Sequence, residues 1–417
     1  MNDKNAETLE KTEIQYEGTE FAGWKKKIAL FLAGQTVSLF GSSLVQFAII
    51  WYITLSTKSG AMMMISTLCS FLPQIVISPF SGVWADRYNR RFLIIAGDIL
   101  VASSTLILAI LFLLGYGELW LIFVISGIRS MGTGIQMPAV NALLPQIVPV
   151  EKLTRVNGIN GSIQSLVFLE SPAASGALMT FASMGTIFFV DVITAVIAIS
   201  IMLKLNVPAH KRAAEQHTTG YLDDFKSGLG YIVRYSFLKN LMIFYAILMF
   251  LIVPAAFLTP LLVTRVFGDE VWKLTANEML FSAGSILGGL IIAAWGGFKN
   301  RIHMLGAACI AFGVLTFALG FASIFAVFLA IMFITGVALP FFNTASMVLI
   351  QEKVEQQMHG RVFSFMQIIS SASMPAGMLL FGPIADIIRI EVLLIATGLL
   401  MFLLGVAVFC SKLLRTD

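Results

Sequence analysis

Twelve stretches of this chain are each long and apolar enough to fill the hydrocarbon core of a bilayer, which takes about 20 such residues per helix. They begin near Ile28, Ala61, Phe92, Leu119, Asn157, Met184, Leu238, Thr275, Ile302, Ile324, Arg361 and Glu391. Nothing constrains the fold more. In lipid every backbone N–H and C=O must be satisfied within the protein, so spans of this length are helices. Of the 417 residues, 12% are charged and 58% hydrophobic, against roughly 25% charged in a soluble domain. The expected fold is all-α and integral to the membrane, with twelve helices in two pseudo-symmetric six-helix bundles. The expected divisions are an N-terminal tail (1–27), a first bundle (28–205), a linker (206–237), a second bundle (238–411) and a C-terminal tail (412–417). The linker holds the one long polar interruption, and its Asp223-Asp224-Phe225-Lys226 run predicts a short amphipathic helix.

Lysine and arginine fix the expected orientation. If both termini, the linker and the even-to-odd loops share a side, that side carries 22 of the 27 basic residues. Lys58, Arg265, Lys273 and Arg389 lie opposite, and Arg129 falls inside a helix. Both termini are therefore expected in the cytoplasm of a cell whose plasma or inner membrane holds the chain. The net charge of +4 reflects these anchors and predicts no nucleic-acid partner. The polar N-terminus lacks the apolar core of a cleavable signal peptide. Cys69, Cys309 and Cys410 lie in apolar runs and predict no disulfide; the four histidines sit in or beside loops without metal spacing. No nucleotide-binding glycine loop is present, so neither ATP nor any other cofactor is expected to drive the chemistry, and no enzyme activity is expected.

An internal repeat supports the two halves. Gly134-x-x-x-Pro138-x-x-Asn141 in the fourth span recurs as Gly336-x-x-x-Pro340-x-x-Asn343 in the tenth, 202 residues later. Proline and asparagine here, with Pro172 and Gly176 of the fifth span, are candidates for helix bending and packing. Gly284-x-x-x-Gly288 predicts close helix packing.

Polar residues within spans need a cavity or a partner. Gln35, Ser38, Ser42 and Gln46 recur at helical steps on one face of the first span. Ser126, Arg129, Thr133 and Gln136 do so on the fourth, with Asn160 and Gln164 on the fifth and Gln367 on the eleventh. Gln35, Ser38, Gln46, Thr133, Gln136, Asn160, Gln164 and Gln367 are the candidate cavity wall; the alternative is interhelical hydrogen bonding of about 0.6–2 kcal/mol each. Arg129 lies near mid-depth, and unpaired it would cost about 2.5–3.5 kcal/mol or more. Asp98, Glu170 and Asp191 are the acids within the first half's spans, and Glu278 reads as an interfacial residue near the outer end of the eighth. Either Arg129 pairs with Asp98 or Glu170 as architecture, or an acid near it exchanges a proton during transport.

The stretch Gly82-x-x-x-Asp86-Arg87-x-x-Arg90-Arg91 joins the second and third spans. It serves as a topology anchor or as a charged latch, in which Gly82 would let one helix end approach its neighbour. Its spacing resembles the signature loop of the major facilitator superfamily. Ala33-Gly34-Gln35, Ala48-Ile-Ile-Trp51-Tyr52, Phe71-Leu-Pro73-Gln74, Ile128-Arg129-Ser130-x-Gly132-Thr133 and Gly360-Arg361-Val362-Phe363-Ser364 resemble its macrolide-efflux branch. That resemblance implies alternating access and proton-driven export of a lipophilic or amphipathic compound by antiport, with the proton gradient as energy source. In the fifth span only Pro172 and Gly176 match the family's antiporter motif, and Glu170 departs from the macrolide exporters. The expected partners are the small molecule, protons and membrane lipid, with the chain as a monomer. A transporter of a physiological solute or lipid, of siderophore or lysophospholipid type, and a sensor without flux are the alternatives.

Overall fold

A computed structural model describes residues 23–205, 207, 221–355 and 358–410. Most of the expected tails and part of the linker, His210 and His217 included, lie outside the described residues. Every regular element among the described residues is a helix. In chain order these are α1 (Trp24–Thr57), α2 (Gly60–Arg87), α3 (Arg90–Leu113), α4 (Leu119–Ile147), α5 (Val150–Phe181) and α6 (Met184–Lys204). The linker holds α7 (Tyr221–Arg234), and then come α8 (Ser236–Leu251), α9 (Val253–Phe257), α10 (Thr259–Val266) and α11 (Val271–Trp295). The chain ends in α12 (Arg301–Leu319), α13 (Phe325–Lys353), α14 (His359–Ile387) and α15 (Ile390–Cys410).

Among the described residues, ten helices are long and apolar enough to cross a bilayer. The fifth and seventh spans depart from that standard for separate reasons. α5 has 32 residues but carries Glu151, Lys152, Arg155, Asn157, Asn160, Gln164 and Glu170, so its composition falls short. The seventh span is three helices, α8 to α10, broken at Ile252 and Leu258 just ahead of Pro254 and Pro260 in the first turns of α9 and α10. Proline lacks the N–H that would continue the ladder across such a break. α7 is the amphipathic linker helix expected, and it meets α8 at a bend of 103°. The twelve-span fold stands, with its seventh span segmented.

Packing repeats between the halves. In the first, α3 packs on α4 and α6; in the second, α12 packs on α13 and α15. The Gly-x-x-x-Pro repeat has a steric cause. A Cβ on Gly134 would stand 2.2 Å from Ile77 Cγ2 and 3.1 Å from the Gln74 backbone of α2. A Cβ on Gly336 would stand 2.1 Å from the Phe281 carbonyl of α11. Gly284 and Gly288 return the contact, at 2.0 Å from Phe333 O and 2.2 Å from Val337 O. Backbone cannot step aside as a flexible side chain can. Gly336→Leu should therefore destabilise by about 1–3 kcal/mol, read as a lower unfolding temperature in detergent. Gly158→Ala, with nothing within 4 Å, should leave that temperature in place. Pro138 and Pro340 lie inside helices that run on through them.

The compact units cut the chain differently from the sequence boundaries. Phe47–Leu68 and Pro172–Phe181 belong to the second unit, while Cys69–Ser171 belongs to the first. Within the second unit, Trp51 and Met63 bury against Leu261, Met378 and Phe381. One end each of α1, α2 and α5 thus belongs with the later helices.

Candidate functional site

The first unit is organised around two buried carboxylates. α1 and α6 touch backbone to backbone where Gly41 faces Thr194 and Asp191; a Cβ there would stand 1.9 Å from Thr194 Oγ1. That approach lets the Ser42 hydroxyl donate to Asp191 Oδ1 at 2.9 Å. Asp191 Oδ2 receives Thr105 Oγ1 of α3 at 2.9 Å and forms an ion pair with Nη1 of Arg129. Arg129 also donates to Thr105 Oγ1, and its other terminal nitrogen lies 3.5 Å from the Ser42 carbonyl. Exposures of 6% for Arg129 and 1% for Asp191 leave neither charge to water, so each depends on the other.

This pairing corrects the sequence expectation, which gave Arg129 to Asp98 or Glu170. Glu170 is exposed on α5. Asp98 is 3% exposed, and its Oδ1 is already taken by the Ser38 hydroxyl (2.9 Å) and the Gln136 amide (2.7 Å). Its Oδ2 is buried with no hydrogen-bond partner among the described residues. A buried oxygen without a donor is where a carboxylic acid carries its own proton, because a bare carboxylate there suffers full desolvation. Two acids on neighbouring helices thus differ: Asp191 is compensated by an arginine, and Asp98 keeps one buried oxygen without a donor among the described residues.

The candidate cavity wall divides. Ser38 and Gln136 serve Asp98. Gln46 Nε2 donates to Ser70 Oγ at 3.3 Å, and Thr133 bonds back to the Arg129 carbonyl at 3.2 Å. Gln35 and Asn160 are half-buried, and Gln164 is exposed. Gln367 of α14 donates to Ser371 at 3.3 Å and lines an open cavity of about 360 Å³ with Tyr245, Asn343, Ser346, Phe363 and Ser370. Asn343 was expected in packing, yet it and its counterpart Asn141 are exposed, because the glycine rather than the asparagine of the repeat makes the close contact. Pro172 and Gly176 do pack: a Cβ on Gly176 would stand 1.9 Å from Thr275 Oγ1.

At the arginine-rich end of the first unit, Asn89 caps α3 by accepting from the Arg91 amide at 3.0 Å. Arg90 donates to the Ala85 carbonyl of α2 (3.0 Å) and the Ala142 carbonyl of α4 (2.8 Å), and Arg91 to the Leu203 carbonyl of α6. Both arginines staple helix ends within this unit. Arg87 is exposed, and the Asp86 side chain lies outside the described residues. A Cβ on Gly82 would meet no described atom within 4 Å, so this glycine does not provide the close approach expected of it.

The second unit carries the four minority bases, and every one has an acid. Lys58 pairs with Asp269 (2.6 Å), Arg265 with Asp386 (2.8 Å), Lys273 with Glu270 (2.7 Å) and Arg389 with Glu391 (2.8 Å). The Lys273 ammonium holds the Glu270 carboxyl below its usual range. Asp386 of α14 also accepts from the amides of Gly60 (2.7 Å) and Ala61 (2.9 Å) and from Ser59 Oγ (2.7 Å). It therefore caps the start of α2, satisfying amides that a local side chain ordinarily takes. Lys58, between α1 and α2, has a left-handed φ of 47°. Its carbonyl is gripped by Arg265 at 2.5 and 3.2 Å, which holds a conformation a side chain makes costly.

Sequence reasoning found the acids but not their division of labour. Spacing put Ser38 and Ser42 on one face; that each hydroxyl serves a different carboxylate depends on α3 and α6, which no one-helix pattern contains.

A family model described as Major Facilitator Superfamily matches residues 31–372 and 272–416. The chain is 30% identical over 396 residues, 94% of its length and 97% of the relative's, to a macrolide efflux protein A of Streptococcus pyogenes. It is 22% identical to a staphyloferrin A transporter of Staphylococcus aureus, across 86% of this chain and 90% of that one. Among solved structures, the nucleoside transporter NupG superposes with a TM-score of 0.68 at 12% identity, covering 95% of this chain and all of that one (100%).

Proposed function

The chain belongs to the Major Facilitator Superfamily and is a multi-pass membrane transporter, not an enzyme; from that premise we propose that it exports lipophilic or amphipathic small molecules by proton-coupled antiport. The likeness to a macrolide efflux protein across nearly the whole of both chains carries the substrate class. Coupling rests on Asp98, whose free Oδ2 offers a protonation site one helix away from the Arg129–Asp191 pair. In this reading both termini face the cytoplasm, as the basic-residue bias requires. The chain works as a monomer, needs no cofactor, and draws its energy from the proton gradient. The arginine-rich loop at the cytoplasmic end remains a gate only through Asp86 and Arg87, since Arg90 and Arg91 are committed to their own unit.

Expression in a host stripped of its own pumps tests this. The inhibitory concentration of a macrolide should rise several-fold, and collapse of the proton gradient should abolish the gain. Unchanged susceptibility with the protein present in the membrane would sink the macrolide reading. A physiological solute of siderophore type is the second reading, favoured by the staphyloferrin A transporter likeness. It predicts altered growth under iron limitation with macrolide susceptibility unchanged.

A further inference from the structure

The second unit holds an acid that neither the ion-pair scheme nor the proposed coupling uses. Glu278 lies seven residues into α11, about 10 Å along the helix from its first residue. It is half-buried, and what it faces is a partly open cavity of about 110 Å³ lined by α9, α10, α11, α12 and α13. Its Oε1 accepts from the Asn277 amide at 3.1 Å. Beside it, Asn277 Oδ1 is buried without a hydrogen-bond partner among the described residues. No described cation lies within ion-pair distance. The basic residue on the same helix, Lys273, is committed to Glu270 and to the Phe267 carbonyl.

The remaining walls are apolar apart from three hydroxyls, Thr259, Thr316 and Thr335, and they include the rings of Phe281 and Phe312. Thr335 gives its proton to the Ile331 carbonyl at 2.8 Å, so toward a ligand it is an acceptor. A carboxylate, hydroxyl acceptors and aromatic faces are the groups that attract an organic cation, the rings through their negative faces. No described base stands among them to hold an anion. An ionised acid in such surroundings is costly until a counter-charge arrives.

Size narrows the ligand. At about 10–15 Å³ per water on this measure, the cavity has room for roughly seven to eleven waters, and so for an ammonium-bearing group of about ten non-hydrogen atoms. We propose that this cavity binds the cationic end of lipophilic amines, with Glu278 as counter-ion. The site goes beyond the export reading and does not depend on the direction of transport.

Binding to the purified full-length protein in nanodiscs tests it, using benzyltrimethylammonium and its neutral carbon isostere neopentylbenzene. The two probes share shape and differ in charge. The wild type should prefer the cation by at least about tenfold. Glu278→Gln should erase that preference while leaving the neutral probe within about twofold, and Glu278→Asp should retain it. Ala256→Phe, which fills the cavity from a residue exposed to it and keeps the acid, should lose both probes. Equal affinity for the two probes in the wild type overturns the proposal. So does undiminished cation binding in either Glu278→Gln or Ala256→Phe. If Glu278→Gln loses both probes, Glu278→Asp decides: retained preference upholds the counter-ion, and loss of both makes the acid a packing element. Cation binding without macrolide export would leave this site standing and remove the macrolide reading alone.

Discussion

Arg129→Met is expected to cost the protein about 3–5 kcal/mol, the penalty for leaving a buried partner charge uncompensated. Asp191 is 1% exposed, and after the substitution only the Ser42 and Thr105 hydroxyls would remain around its oxygens. The loss should show as a sharp fall in the yield of monodisperse protein and in its unfolding temperature. The pair reaches α3 and α1 as well as α4 and α6, so the damage should spread through the first unit. A double variant separates architecture from function. Replacing a buried ion pair by apolar residues of similar volume is often neutral or better for stability. Arg129→Met combined with Asp191→Leu should therefore recover most of the unfolding temperature that either single variant loses. Transport is expected to stay lost in that double variant. Wild-type flux from it would make the pair a structural tie and nothing more.

Asp98→Asn is expected to uncouple transport while the fold survives. Asparagine keeps the side chain's size and an oxygen to accept from Ser38 and Gln136, but it cannot exchange a proton. One charge moved across 100 mV is worth about 2.3 kcal/mol, so losing one coupled proton should lower the attainable substrate gradient by roughly 50-fold. In proteoliposomes the variant should still exchange labelled for unlabelled substrate at equilibrium. It should fail to concentrate substrate against an imposed pH or voltage gradient. Continued accumulation by Asp98→Asn would move the coupling site away from α3.

Much of this fold is legible in sequence because the bilayer imposes so few solutions. Length and apolarity gave twelve spans, eleven of them starting within about four residues of their helices and the fifth, whose helix begins at Val150, seven residues late. The Gly-x-x-x-Pro repeat located equivalent helices, and its glycines proved to be contact points between backbones. α5 and the segmented seventh span were less regular for reasons also written in the chain: a crowd of polar residues in one, Pro254 and Pro260 in the other. The site was legible only in part. A list of intramembrane charges contains Arg129, Asp98, Glu170 and Asp191 without saying who pairs with whom. That is decided by approaches such as Gly41 against Thr194, which depend on helix rotation. The cavity that Glu278 lines went unseen for the same reason. Nearness to a helix end suggested the membrane interface, and the residues that make its cavity come from helices on either side of it in the chain.

The cap on α2 bears on the order in which the protein is made. Asp386 lies 326 residues after Gly60, whereas Arg129 and Asp191 are 62 apart. Chains emerge from the ribosome N-terminus first and their parts fold in that order. The charged centre of the first unit can close once α6 has been threaded into the bilayer. The opening turn of α2 must wait for nearly the whole chain, its amides held meanwhile by water or by Ser59, whose hydroxyl lies 3.3 Å from the Met62 amide. The cap on α2 thus forms only once α14 is made, and a chain truncated before its eleventh span would carry a finished charge centre and an unfinished second helix.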